Sequence, residues 1–173
     1  YEKSLEHQNI AIKYDTRSQV KLNRAITLLT LNQYQEGWAE YENRLGDDII
    51  SSPRRRLSVP RWNRQPLQNK TILVCSEQGV GDELYFSSYL PRLIEISGRI
   101  ILETDPRLTQ LFRESLKELA VFPYSRRLTY NQPIFNYGWL PKYIYPDFYI
   151  DLASLPHFLL EEGMKPLNKF GYL

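Results

Sequence analysis

Apolar positions in the first third of the chain recur at helical spacing. Val20, Leu22, Ala25, Ile26, Leu28, Leu29 and Leu31 fall mainly on one broad face and predict a helix from Asp15 to about Asn32. Asp15 or Thr16 suits its start. Asn32-Gln33 reads as a short turn, because Asn tolerates left-handed backbone at a helix end. Trp38, Tyr41 and Leu45, three and four apart, predict a second helix from about Tyr34 to Leu45, closed by Gly46-Asp47-Asp48. Together the two make an αα-hairpin. From Ile49 to Asn69 the periodicity fades into arginine, proline and serine, SSPRRRLSVPRWNRQPLQN. That segment reads as an extended surface linker, with Arg54-Arg55-Arg56 solvated and Trp62 as its packing anchor.

From Lys70 the pattern changes to strand–helix alternation. Thr71-Ile72-Leu73-Val74-Cys75 is continuously apolar, as expected of a strand buried on both faces. A helix is predicted from about Gly81 to Ser97, with Gly98 closing it before a second strand, Arg99 to Glu103. Pro106 to about Leu116 is the next helix, with Pro in its first turn. Ala120-Val121-Phe122 and Tyr145 to Ile150 are further strands, and Leu155-Pro156 opens a last helix. This alternation predicts an α/β, Rossmann-like three-layer half-domain with a parallel sheet covered on both faces.

Composition narrows the function. At 173 residues the chain holds one large domain or two small ones. A net charge of +2 argues against a generic nucleic-acid or polybasic membrane surface. No apolar run approaches the roughly 18 residues that predict a transmembrane helix, and no secretory signal opens the chain. One cysteine, Cys75, leaves no internal disulfide and no Cys-based zinc site, and fits a buried inert thiol in a reducing, cytoplasmic setting. His7 and His157 lack a metal-ligand set, and no cofactor is expected. Starting at Tyr1 and stopping after Gly171-Tyr172-Leu173, the chain reads as a fragment.

The stretch with most chemistry is SEQGVGDEL, Ser76 to Leu84, between the first strand of the α/β part and its helix. A parallel sheet binds ligands at the carboxyl ends of its strands. Gly79 and Gly81 allow positive φ and close approach, and the following helix offers free N–H groups. Three readings compete. Asp82 is a cap for the helix. Alternatively, Gly79-Val80-Gly81 begins a dinucleotide fingerprint, with Glu103 as the ribose acid. Against that, Leu84 replaces the third glycine, and Asp82 and Glu83 would repel a pyrophosphate. In the third reading Asp82 is a catalytic carboxylate on display.

Several segments favour the third. Tyr34-Gln35-Glu36-Gly37-Trp38-Ala39-Glu40-Tyr41-Glu42, Pro60-Arg61-Trp62, Pro66-Leu67-Gln68-Asn69-Lys70, Glu77-Gln78-Gly79-Val80-Gly81-Asp82 with Phe86 and Tyr89-Leu90-Pro91, Leu102-Glu103 with Pro106-Arg107-Leu108, and Asp147 with Ser154-Leu155-Pro156 occur in this order. Their order and spacing resemble bacterial proteins that fuse tetratricopeptide repeats to a family 9, heptosyltransferase-like glycosyltransferase. The resemblance runs from about Asn23 to Leu173. It divides the chain into a tetratricopeptide-like hairpin (1–48), a linker (49–69) and the N-terminal half of a GT-B fold (70–173). It implies transfer of a sugar from a nucleotide-sugar donor, held mainly by a second half, to a glycan, lipid-linked or protein hydroxyl. Asp82 matches the family's catalytic base, and Gln78, Gly79 and Gly81 would shape the acceptor loop.

The chain departs from the pattern at Asn69 (usually Gly), Glu83 (usually uncharged), Asp151 (often Pro) and Arg44 (usually small). Glu83 would raise the pKa of Asp82 if both faced the cleft. Arg54-Arg55-Arg56 could meet a phosphorylated acceptor, and the tyrosine-rich stretch from Tyr124 to Tyr149 could stack on sugars or pack on the sheet edge. The alternative is a non-catalytic interaction module, in which repeats bind a protein and the α/β part is degenerate. One repeat alone buries too little, so the hairpin would end a longer array.

Overall fold

The computed structural model describes residues 1–142 and 144–160. Three helices lead: α1 (Glu2–Tyr14), α2 (Ser18–Thr30) and α3 (Tyr34–Tyr41), the last running into a 3-10 turn (Glu42–Leu45). The hairpin of α2 and α3 matches the periodicity, and Asn32 takes the left-handed conformation at the turn, φ 60°. The first helix, α1, has no fully buried residue, so it left no apolar stripe to read. Arg24 of α2 joins the three helices by bonding Asn9 at 2.7 Å, Glu36 at 2.5 Å and Glu40.

Strands β2 (Thr71–Cys75), β3 (Arg99–Thr104), β4 (Ala120–Pro123) and β7 (Phe148–Asp151) form a parallel sheet in the order β4-β3-β2-β7. The fold is α/β with a Rossmann-like sheet. The chain winds outward through β3 and β4, then returns to the other side of β2, so the topological switch point lies between β2 and β7. One face of the sheet carries Ile72, Val74, Ile100, Leu102 and Ile150 under helices α4 (Val80–Ser87), α5 (Leu90–Ile96) and α6 (Thr109–Ser115). Trp38 of α3 joins the same core. Leu73, Cys75 and Ile101 face the other way and are covered by Leu57, Tyr137, Trp139 and Leu140 rather than by helices.

Two local departures have plain causes. The segment expected as one helix breaks between α4 and α5, where Pro91 can supply no N–H and sits in the first turn of α5. The tyrosine-rich stretch contains a β-hairpin, β5 (Ser125–Thr129) and β6 (Gln132–Asn136), turning at Tyr130-Asn131 with φ of 50° and 63°. Positive φ at both central residues is the backbone of a type I′ turn.

The linker is not solvated throughout. Arg54–Arg55 is a short strand, β1, that adds to β6 in parallel. Pro60 to Trp62 runs beside β7: Tyr149 N–H donates to Pro60 O at 3.1 Å and Trp62 N–H to Tyr149 O at 2.7 Å. This covers a sheet edge that would otherwise expose unpaired backbone. Trp62 is buried, as its anchoring role requires, and its indole N–H donates to Gln65 O at 2.8 Å. At the start of the sheet Asp147 accepts from Thr71 N–H at 2.8 Å and Lys70 Nζ at 3.0 Å. Asn69 has φ 59°, which explains why glycine suits this position and Asn is tolerated. A short helix, α7 (Leu155–Leu159), closes the described chain. The part of the matched range beyond residue 160 lies outside the described residues.

Candidate functional site at the carboxyl edge of the sheet

The loop after β2 lies at the carboxyl ends of the strands and leads directly into α4. Gly79 is the N-cap, with extended backbone (φ −87°, ψ 170°), and its N–H donates to Asp82 Oδ2 at 3.1 Å. The expected positive φ is therefore found at neither glycine: Gly81 is already in the first helical turn. A side chain at Gly81 would meet nothing within 4 Å, so the surface above it is open. Asp82 beside it is exposed. Its cap bond engages one carboxylate oxygen and leaves the other without a protein partner among the described residues.

Glu83 does not share that surface. It turns inward, accepting from Ser76 Oγ, from Thr104 Oγ1 at 2.7 Å and from Asp105 N–H at 2.9 Å. Burial raises its pKa. Glu83 and Asp82 therefore do not face the same cleft. Glu83 instead ties the loop after β2 to the loop after β3.

The rest of the loop is held from the helical hairpin. Glu77 is buried and accepts from Arg44 Nε at 2.9 Å, Arg44 Nη2 at 2.6 Å and Ala153 N–H at 3.1 Å. Arg44 also donates to Ser154 Oγ at 2.7 Å and Glu42 at 2.7 Å. A small residue at position 44 would leave Glu77 unpaired, which accounts for the departure from the repeat pattern. Gln78, expected in the acceptor loop, donates to Tyr41 OH at 3.0 Å. The hairpin thus fixes the backbone that presents Gly81 and Asp82.

Arginines of the linker fill the switch point itself. Arg55, expected in solvent, has only 5% of its side chain exposed. It donates to Asp151 at 2.9 Å, Glu103 at 3.0 Å, Tyr137 OH at 2.8 Å and Ser76 O, and its guanidinium lies 4.3 Å from the centre of the Phe135 ring. Arg61 adds ion pairs to Glu42 at 2.6 Å and Asp151 at 3.5 Å. Glu103 is fully buried, and burial, opposed by Arg55, pushes its pKa up to about 7. A ribose hydroxyl cannot reach the fully buried Glu103, which disfavours a dinucleotide there.

Cys75 is buried, and burial pushes its thiol well above the ordinary range, in keeping with an inert core cysteine. Among the described residues no group of three or more His, Cys, Asp or Glu is placed to hold a metal. No helix among them is long and apolar enough to cross a membrane. Of the tyrosines, Tyr124 donates to Asp105 at 2.8 Å and Tyr137 binds Arg55, so both pack at the sheet's carboxyl edge. Tyr143 lies outside the described residues.

Sequence reading missed the pairs Arg44–Glu77 and Arg55–Asp151, since ion pairs spanning 33 and 96 positions leave no local signal. No family model matches the chain, and no solved structure matches it. Protein FlbA of Caulobacter vibrioides is 33% identical over 116 residues. The matched stretch covers 65% of this chain and 19% of that protein, so the chain spans about a fifth of the length of the curated relative it matches.

Proposed function

We propose that this chain is the acceptor-side half of a GT-B-like, family 9 glycosyltransferase carrying tetratricopeptide repeats. The observation that supports it best is the exposed Asp82 carboxylate at the carboxyl edge of the sheet, beside the open surface over Gly81. In this reading an acceptor hydroxyl lies over Gly81. Asp82 takes its proton as the hydroxyl oxygen bonds the anomeric carbon, and the nucleoside diphosphate leaves from that carbon. Arg44, Arg55 and Arg61 are already paired with carboxylates of this half, so in this reading the nucleotide binds a second half. Asp82→Asn keeps the cap and removes the base. In the full-length protein, release of nucleoside diphosphate from a panel of nucleotide sugars is expected to fall about 100-fold or more. Unchanged release removes the base role.

The second reading, a non-catalytic interaction module, has its own support: Asp82 already serves its helix as a cap. It predicts no release from any donor by the unaltered protein.

A further inference from the structure

The edge of the sheet beside the helical hairpin carries a second polar surface. Arg61 pairs with Tyr149 as an isolated parallel bridge, and Asp151 follows Tyr149 by two positions on β7. Paired residues share a face, and faces alternate along a strand, so Arg61, Tyr149 and Asp151 stand on one side of the sheet. Glu42, Asn43 and Leu45 of the 3-10 turn, with Pro53 and Arg54 of the linker, form the other walls. Between them lies an open cavity of about 540 Å³.

The charges around this cavity are already matched. Arg54 pairs with Asp47 at 3.4 Å, Arg55 with Asp151 at 2.9 Å and Arg61 with Glu42 at 2.6 Å. An ionic ligand would have to draw one member of such a pair from its partner. At Arg55 and Asp151, with 5% and 4% of their side chains exposed, that strands a buried charge. What remains unused is hydrogen-bonding capacity. Among the described residues Tyr149 OH has no hydrogen-bond partner. Asn43 commits Nδ2 to Glu40 O at 2.7 Å and leaves Oδ1 free. Asp151 is buried and accepts from Arg55 through Oδ1, while its Oδ2 meets only Arg61 Nε at 3.5 Å, a contact that forms no hydrogen bond.

We propose that this cavity binds a neutral sugar ring. Sugar hydroxyls supply what the lining lacks: O–H donors for Asp151 Oδ2 and Asn43 Oδ1, and an acceptor for the Tyr149 O–H. The C–H surface of the ring suits Leu45, Pro53 and the half-buried Tyr149 ring. The volume lies within the about 300–1,000 Å³ of small-molecule sites. An apolar ligand would leave the free oxygens dry and unpaired. The site goes beyond the transferase reading and is separate from the surface over Gly81: Asp151 pairs with Cys75, ahead of the loop that carries Asp82. It stands on its own residues whether or not Asp82 is a base. Since the 3-10 turn supplies one wall, the site is complete only with the hairpin docked on the sheet.

Saturation-transfer NMR titration of the full-length protein tests this with the methyl α-glycosides of glucose, galactose and mannose, and with glucuronate and glucosamine as charged controls. At least one neutral glycoside is expected to bind saturably, and at least threefold more tightly than either charged sugar. Tyr149→Phe keeps the ring and deletes the free hydroxyl, so the affinity should fall about fivefold. Asn43→Ala, on another wall, should weaken binding as well, and decides the matter if Tyr149→Phe fails to fold. Tyr130→Phe, at the exposed tip of the β5-β6 hairpin, should leave binding unchanged. Saturable binding by none of the neutral glycosides, undiminished affinity in Tyr149→Phe, an equal loss in Tyr130→Phe, or a charged sugar binding as tightly as a neutral one would overturn the site. Nucleoside diphosphate release is a separate measurement: its absence retires the transferase reading and leaves this site, whereas release without glycoside binding retires this site alone.

Discussion

Replacing Arg44 by Met tests whether the helical hairpin and the α/β layer are held together by a buried charge pair. Arg44 and Glu77 are 5% and 3% exposed at their side chains, and two hydrogen bonds join them. Met fills much of the same volume but leaves Glu77 with only the Ala153 N–H at 3.1 Å. Stranding one member of such a pair costs about 3–5 kcal/mol, against about 0–1 for an exposed pair. With total stabilities of about 5–15 kcal/mol, that is a large share. Burial already raises the Glu77 pKa, and Arg44 is the main group opposing it. Without Arg44 the carboxyl takes up a proton at higher pH. A carboxyl whose folded pKa lies above its unfolded one stabilises the fold at low pH and loses that contribution as pH rises through the folded value. The variant should therefore be weakest at high pH and recover toward pH 5. Adding Glu77→Gln removes the stranded charge and should restore about 2 kcal/mol. Urea unfolding, followed by both tryptophan fluorescence and circular dichroism, reads these differences. A loss below 1 kcal/mol for Arg44→Met, or a double variant less stable than the single, refutes the argument.

Other substitutions test other contacts. Glu103, raised from an ordinary 4.5 to about 7, carries its proton in the folded chain over that window. Its contribution, about 3 kcal/mol, is present at acid pH and lost as pH rises through about 7; Glu103→Gln should flatten that part of the stability–pH curve. Gly98→Ala should lower stability by about 1–3 kcal/mol in thermal melts, because its Cβ would stand 2.8 Å from the Asn69 Cα. Asn69→Ala should cost about 1 kcal/mol in the same melts, whereas Asn69→Gly should be neutral or slightly stabilising, given φ 59°.

Periodicity made the hairpin of α2 and α3 and the strands β2, β3, β4 and β7 legible, because each buries an apolar face of regular spacing. The elements that escaped it bury little of their own. The helix α1 has no fully buried residue, and β5 shows mostly exposed side chains, so neither writes a stripe. The hairpin turn was hidden because Tyr130 occupies a left-handed position usually given to Gly or Asn. At the candidate site, composition located the loop but not its mechanics. Three of its residues, Glu77, Gln78 and Glu83, point at other parts of the protein, leaving Gly81 and Asp82 on the surface. Arg54-Arg55-Arg56 looked like one solvated run, yet strand alternation buries Arg55 between two neighbours of different fate.

Glu77, Glu103 and Asp151 all belong to the α/β part that starts after Lys70, while the cations paired with them, Arg44, Arg55 and Arg61, all precede it. The sheet alone would hold three dry acids without a base. Synthesis from the N-terminus resolves this by timing: each guanidinium leaves the ribosome before the carboxylate it will meet. The hairpin and linker thus act toward the sheet as a built-in folding partner, delivered ahead of the segment that needs it. Severing the chain between Asn69 and Lys70 would separate the two at the step where the sheet closes.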